Sequence, residues 1–572
     1  MHRVLCIPEL LRIVFEFSKD ASNAQCALVC KQWSEIALDV LWHDVNDLRT
    51  LFHSLSPLRK MSDHSYVFSA RPTPKDWTRF ETRYCSRVRR LLVEDVLAYD
   101  LRPVIKVITL IRPSRPLLPN LRELRWPEIK CWSSMNDCYA LIFMHEGVHK
   151  AVFSDRGHPS ADFFEIVHSR MPLLKHVEFR FCPSRKLAIP LRDCLHRLVD
   201  LESVVLPIFQ DQNPLLSGLA ELPALQSVKF ECSGSDSDPI TLKVPFSAFP
   251  LRGVENLELS ISYQLAAESL KNDLLQLTSI VVRSQQVEYP QAAQSLCTAL
   301  ARSCPRLSKV HLLNHSFHNM NPNCPIDRLV SFNDIEPLLR CTQMTDFTLT
   351  HAYPTTITTT EISHIVLKWP HLRSITLSPS GSHQKLRSKI SLRALLLFAR
   401  QCPDIEEIAM RFSLFFGIPS DSTVRARPRG LPKLRTLNVG RTTVKDEAVD
   451  VALFLGEICP RGCEILWDKV QVSEQTRVGW ENVRRLLPPL VERASRTRRI
   501  LTENEDLLLG SAALELSVVQ ERLRQAEVKV VELSQELEVE RSRNESFVAG
   551  ESLPSHNGVE DTQEGKNRRT RV

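Results

Sequence analysis

The sequence predicts an α/β chain in three parts: a short helical module at the N-terminus, a long solenoid of strand-and-helix turns carrying one parallel sheet, and a long C-terminal helix. Three observations predict it. The pattern apolar-x-x-apolar-x-apolar returns thirteen times between Val88 and Val439, the first fifty residues carry apolar side chains at helical spacing, and apolar residues near the C-terminus recur every seven positions. At 572 residues the chain exceeds what one closed core spans, and an open-ended repeat array resolves that excess.

Composition narrows the class of function. Hydrophobic residues at 43% and charged residues at 24% are the proportions of a chain that mostly folds. Lys and Arg exceed Asp and Glu by 73 to 67, a balance too even to argue for a nucleic-acid or membrane partner. No apolar run reaches the roughly eighteen residues of a bilayer span, and Glu9 and Arg12 interrupt the opening segment, so neither a membrane span nor a secretory signal is expected. The 16 cysteines include no C-x-x-C pair, which argues against zinc ribbons and fingers and for reduced, mostly buried thiols in the cytoplasm and/or nucleus.

Residues 1–50 form the helical module. Ile7, Leu10, Leu11 and Val14 follow helical spacing, with Pro8 suited to a first helical turn because its missing N–H costs nothing there. Ser22 and Gln25 have the capping-box spacing for a second helix, and Trp33, Ile36, Ala37, Val40 and Leu41 mark one face of a third. Ile13, Phe15 and Phe17 add apolar surface off the main stripe. So small a bundle must cover that surface with another protein or with the rest of its own chain, as a cap on the solenoid.

Ile7-Pro8-Glu9-Leu10-Leu11, Ile13, Phe15, then Val29-Cys30-Lys31-Gln32-Trp33 and Leu41-Trp42 resemble the F-box pattern, over less than a tenth of the chain. The resemblance implies docking on the Skp-type adaptor, and through it the cullin, of a cullin-RING ubiquitin ligase. Carried over by position, the adaptor face comprises Pro8, Leu10, Leu11, Ile13, Val29, Trp33 and Leu41, part of this set belonging to the module's own core.

A connector, 51–85, leads to the solenoid, 86–470. Its units include Leu121-Leu124-Trp126, Leu174-Val177-Phe179, Leu225-Val228-Phe230, Leu307-Val310-Leu312 and Leu434-Leu437-Val439, with separations of 23 to 37 residues and a mean near 29. That period, with one strand and one helix per turn, is the signature of a leucine-rich-repeat-like array. The units resemble the repeats of leucine-rich F-box proteins, but only Cys182 falls at the position usually filled by Asn or Cys, so the turn backbone must find its hydrogen bonds otherwise. Strand alternation sends the repeated apolar residues inward and leaves Arg125, His176, Glu178, Arg180, Lys229, Glu231, Arg283, Lys309, His311 and Arg411 on the outer sheet face as candidate contacts for a protein substrate.

His145-Glu146-Gly147-Val148-His149 matches H-E-x-x-H, whose zinc chemistry needs two histidines one turn apart on a helix. Val148 opens a repeat unit and Gly147 weakens a helix, so a junction into a strand is expected there and no metal. The phosphate loop, nucleophile elbow and dinucleotide fingerprint are all missing from the sequence; no enzyme activity, catalytic residue or cofactor is expected.

Residues 471–500 read as a basic, proline-interrupted linker or cap, 501–543 as a coiled-coil helix, and 544–572 as a disordered tail. Leu509, Leu516, Leu523, Val530 and Leu537 recur every seven residues, with Ala512, Val519, Ala526 and Leu533 at the complementary spacing. Such a helix either self-associates or folds back as a cap.

Together these readings lead to a substrate-recognition subunit of a Skp–cullin–F-box ubiquitin ligase. The alternative is a repeat scaffold unconnected with ubiquitin, its N-terminal helices serving as a cap.

Overall fold

The computed structural model describes residues 7–93, 100–112, 115–126, 139–154, 159–231, 251, 253–270, 274–314, 329–379, 388–415, 417–418, 430–469 and 472–548, with backbone alone at 498–514 and 543–548. The chain divides into two units, Met1–Glu492 and Arg493–Val572.

The first unit opens with α1 (Pro8–Glu16), α2 (Asp20–Cys26) and α3 (Lys31–Leu41). Ile7 caps α1 in an extended conformation and Pro8 occupies its first turn, where a missing N–H costs nothing. Ser22 does not open α2. Its N–H already bonds the Lys19 carbonyl at 2.9 Å, so Lys19 is the cap and Asp20 supplies the negative charge that a helix start favours. Leu11, Phe15 and Ala37 form the centre of this small core, with Trp33, Ile36 and Val40 packed against it. The Asn23 amide donates to the Phe15 carbonyl at 2.9 Å and ties α2 to α1.

Strand β1 (Asp44–Val45) follows α3 almost at once and pairs in parallel with β4 (Arg90–Leu92). The sheet therefore begins well ahead of residue 86. Between these strands, 51–85 is no mere connector: a helix Leu48–Leu55, a hairpin of β2 (Leu58–Lys60) and β3 (Tyr66–Phe68), and a helix Pro74–Phe80 bury Leu51, Phe52, Leu55, Trp77 and Phe80 in the main core. Thr73 and Asp76 close a reciprocal capping box on the second helix.

From β4 the sheet continues through β5 (Glu123–Trp126), β6 (Lys150–Ser154), β7 (His176–Arg180), β8 (Ser203–Pro207), β9 (Ser227–Glu231), β10 (Asn256–Leu259), β11 (Ser279–Ser284), β12 (Lys309–Asn314), β13 (Asp346–Thr350), β14 (Ser374–Leu377), β15 (Glu407–Met410), β16 (Thr436–Asn438) and β17 (Glu464–Leu466). Among the described residues, every strand apart from the hairpin joins one parallel sheet of 15 in chain order. Register puts Val45, Leu91, Leu124, Ala151, Val177, Val204, Val228, Leu257, Ile280, Val310, Phe347, Ile375, Ile408, Leu437 and Ile465 in one inward row. None is more than 6% exposed, so the row is the spine of a continuous core. A one-residue slip would turn the whole row to solvent, and this penalty fixes the register.

The turn backbone finds its partners without an asparagine ladder. The two N–H groups entering each strand converge on one carbonyl of the turn before: those of Lys175 and His176 on His149, of Glu202 and Ser203 on Lys175, of Ser308 and Lys309 on Thr278, at 2.8–3.0 Å. The same fork recurs from His43 to Glu406, so one shared acceptor per turn does the work of the missing side-chain ladder.

Helix Glu474–Val548 crosses Pro488 and Pro489 without a break, through the segment read as a linker or cap. Up to Glu492 it belongs to the first unit, and Trp480, Val483, Leu487 and Val491 are buried in the main core; packing on either side of the proline pair holds the helical path that the pair alone would weaken. In the second unit the helix runs on to Val548, past the start of the expected tail, and the rest of that tail lies outside the described residues. No helix among the described residues is long and apolar enough to cross a membrane. Of the eleven described cysteines seven are buried, and burial pushes the Cys85, Cys194 and Cys402 thiols up to about 12.

Candidate protein-interaction surfaces

A nine-residue helix that is apolar on most sides must choose which face to bury. In α1 the choice falls on Leu11 and Phe15, 1% and 2% exposed, one turn apart. Leu11 is thus core and no part of an adaptor face, and Phe15, whose ring meets Trp33 edge-on at 5.7 Å, is core as well. Leu10, Ile13, Val14 and Phe17, at i, i+3, i+4 and i+7, form the opposite stripe and remain exposed. Pro8 is exposed beside them, and Leu28 and Val29 add two uncovered side chains between α2 and α3. Trp33 and Leu41 are half-buried. Phe17 at 90% and Leu28 at 87% exposure are the strongest members that the carried-over positions did not include. Phe17 was legible as apolar surface off the helix stripe; Leu28 had no comparable signal.

Arg87, on the turn before β4, fixes the module to the solenoid. Its guanidinium pairs with the carboxylates of Glu35 and Asp39 and donates to the Glu35 carbonyl at 3.0 Å, all on α3. Burial works against the charge, but the two carboxylates outweigh it and hold Arg87 above the usual arginine range. Trp42 packs on Tyr84 at 4.8 Å beside it. Arg87→Ala should cost about 1–2 kcal/mol and speed amide exchange along α3 while exchange in the distant strands stays unchanged, as read by hydrogen exchange with mass spectrometry.

On the outer sheet face, five of the ten candidate residues meet in one charged network. Arg180 pairs with Glu178 at 2.8 Å and Glu231 at 3.5 Å; Lys229 pairs with Glu231 at 2.7 Å and Glu258 at 3.3 Å; Arg283 pairs with Glu258 at 2.7 Å. Three acids and three bases alternate across β7, β9, β10 and β11. They reach one another because β8 presents only short side chains outward, Val205 in register between Glu178 and Lys229 and Pro207 beside Glu231. Burial opposes the Lys229 charge, and Glu231 and Glu258 more than restore it. Glu258, between inward Leu257 and Leu259, is the member that sequence reasoning did not select, although the same alternation marks it as outward.

The remaining candidates are not members of this network. Burial pushes the His311 imidazole below its usual range, with Lys309 and Arg283 adding to the effect against Asp346 and Glu258. His176 lies 4.0 Å from Glu202, and Arg125 is exposed between Leu92 and Val152 in register. Arg411, beyond β15, is drawn below the usual arginine range by burial and by Arg441, away from the network. His145 lies in a turn and its Nδ1 accepts the Gly147 N–H at 3.1 Å, while His149 directly precedes β6. The helical pairing that H-E-x-x-H requires is not formed, and no cluster of metal-ligating side chains occurs among the described residues.

An uncovered apolar stripe thus stands on an N-terminal helical module, ahead of a leucine-rich-repeat-like solenoid with a charged outer sheet face. Residues 8–47 match the F-box-like family, and the chain opens with an F-box-like domain. No curated protein matches the chain. Among solved structures it overlaps an internalin (inlF) from Listeria monocytogenes str. 4b F2365 at 13% identity, over 66% of this chain and 91% of that one, with a TM-score of 0.36. Rad7 in the yeast Rad7–Elc1 complex overlaps at 15% identity, over 57% and 83%, with a TM-score of 0.30. The TLR13–ssRNA13 complex does so at 13% identity, over 69% and 54%, with a TM-score of 0.27.

Proposed function

We propose that this chain is the substrate-recognition subunit of a Skp–cullin–F-box ubiquitin ligase. The observation that carries the reading is the stripe of Leu10, Ile13, Val14 and Phe17, exposed within the segment that matches the F-box-like family. A helix meant only to cap the solenoid would turn that stripe inward, because burial of such side chains is worth roughly 1.5–3 kcal/mol each. In this reading the Skp-type adaptor covers it and links the chain to a cullin. In that role the chain needs no catalytic group or cofactor of its own and raises the local concentration of substrate near a charged conjugating enzyme held elsewhere in the assembly. Its place of work is the cytoplasm or the nucleus.

The substrate lies on the outer sheet face, over the network from Glu178 to Arg283. Six charges held in one alternating, half-buried array on the sheet face are suited to select a complementary protein surface. Lys229→Glu with Arg283→Glu turns three acids and three bases into five acids and one base. Substrate capture, measured by proximity labelling and pull-down against wild type, should fall about 10- to 100-fold with adaptor binding kept, and circular dichroism checks that the variant is folded. Undiminished capture by this variant would move the substrate site off the network.

Co-purification tests the assignment as a whole: the full chain should bring down a Skp-type adaptor in equimolar amount. A folded chain that ignores the adaptor refutes the ligase role and leaves the scaffold reading.

A further inference from the structure

In the second unit, every residue from Glu515 to Ser542 is exposed along one helix. Leu516, Leu523, Val530 and Leu537 stand seven apart, with Val519, Ala526 and Leu533 three positions after the first three of them, which places all seven on one stripe. The four that stand seven apart are 57–67% exposed. A lone helix in water has nothing to offset that exposure, whereas a second helix with the same stripe does. We propose that the stripe is the seam of a parallel, in-register coiled coil with a second copy of this chain.

Charge decides both the partner and the direction. One flank of the seam carries Glu515, Arg522, Lys529 and Glu536; the other carries Gln520, Glu527, Ser534 and Arg541. In a parallel, in-register pair a residue of the first flank meets the residue five positions further along the second flank of the other copy. Arg522 then faces Glu527 and Glu536 faces Arg541, each twice by symmetry, while Glu515 faces Gln520 and Lys529 faces Ser534. Every charged match is attractive and no like charges meet. Antiparallel alignments that keep the stripe covered pair the first flank with itself, and each brings Arg522 onto Lys529, Lys529 onto Lys529 or Arg522 onto Arg522. The sequence is therefore complementary to itself in one orientation only. Ala526 keeps the seam modest, and Glu540, the next seam position after Leu537, ends it. The assembly carries two F-box-like modules and two outer sheet faces, so a substrate with two matching sites gains avidity without any new contact.

The test uses the full chain in analytical ultracentrifugation. Wild type should sediment at twice the 65.4 kDa chain mass, with a concentration-dependent approach to one chain on dilution. Arg522→Glu creates two like-charge contacts and should weaken association about tenfold; Glu527→Arg should do the same. The double variant Arg522→Glu/Glu527→Arg restores the matches and should recover wild-type association, and a mixture of the two single variants should form the mixed pair in preference to either alone. These substitutions fall on exposed helix positions, and circular dichroism checks that the helix is kept. A single chain mass at every concentration up to about 100 µM overturns the proposal. So does a dimer indifferent to Arg522→Glu, or a double variant no better than the singles.

Discussion

Leu10→Asp with Ile13→Asp is expected to abolish capture of a Skp-type adaptor, a loss of at least about 100-fold in Kd, while the chain stays folded with only a small drop in melting temperature. Leu10 is 38% and Ile13 50% exposed against 1% for Leu11, so aspartate at these two positions removes far less from the fold than it would at Leu11. In the bound state each carboxylate would be desolvated against an apolar partner surface, and the two costs together exceed the roughly 3 kcal/mol that separates 100-fold steps. Leu11→Asp one position along is the informative contrast. Leu11 is core, so the same change there buries a charge between α1 and α3, melts the module and exposes α1 to protease. Titration calorimetry with purified adaptor, alongside thermal melts, separates the two. Wild-type affinity in the surface variant would show that the stripe binds something else.

The fold was legible because the repeated signal is physical. Thirteen apolar triplets correspond to β4 through β16, since each inward residue is paid for by burial on both sides of its turn and cannot be exchanged for a polar one. Strand β1 was not legible: two residues with one inward Val45 cannot show an alternation. The two helices and hairpin of 51–85 carry their apolar residues at mixed periods, which a search for one repeat passes over. At the candidate sites, alternation identified Glu178, Arg180, Lys229, Glu231 and Arg283 as outward. It could not foresee that they meet, because that depends on Val205 and Pro207 being short on the strand between. On α1 the sequence left the facing ambiguous, as six of nine residues are apolar or aromatic and any rotation buries some of them. Tertiary packing on Trp33 and Ala37 chose Leu11 and Phe15.

Trp480→Ala should lower stability by about 3–5 kcal/mol and release the last turns of the solenoid to protease, with adaptor binding intact. A terminal repeat has a neighbour on one side only, and here the helix that begins at Glu474 supplies the missing one. Trp480 is fully buried, stacks on Trp467 at 6.5 Å with the rings inclined by 24°, and donates its ring N–H to the Thr442 carbonyl at 2.7 Å. Alanine would leave a cavity and strand that carbonyl inside the core. Trp480→Phe separates the two effects: it keeps most of the volume and should cost only about 1–2 kcal/mol, the share of a buried acceptor left without its donor. Gly479 beside it explains why the helix comes so close, since a Cβ there would stand 2.6 Å from the Val444 carbonyl oxygen. Loss should be local first. Nearest-neighbour stacking confines the damage to β16 and β17 at low denaturant, so limited proteolysis should cut near residue 470 in Trp480→Ala before the F-box-like module shows any change. If the cleavage pattern and the urea midpoint both match wild type, the helix is not the cap and the end of the core must be closed by some other element.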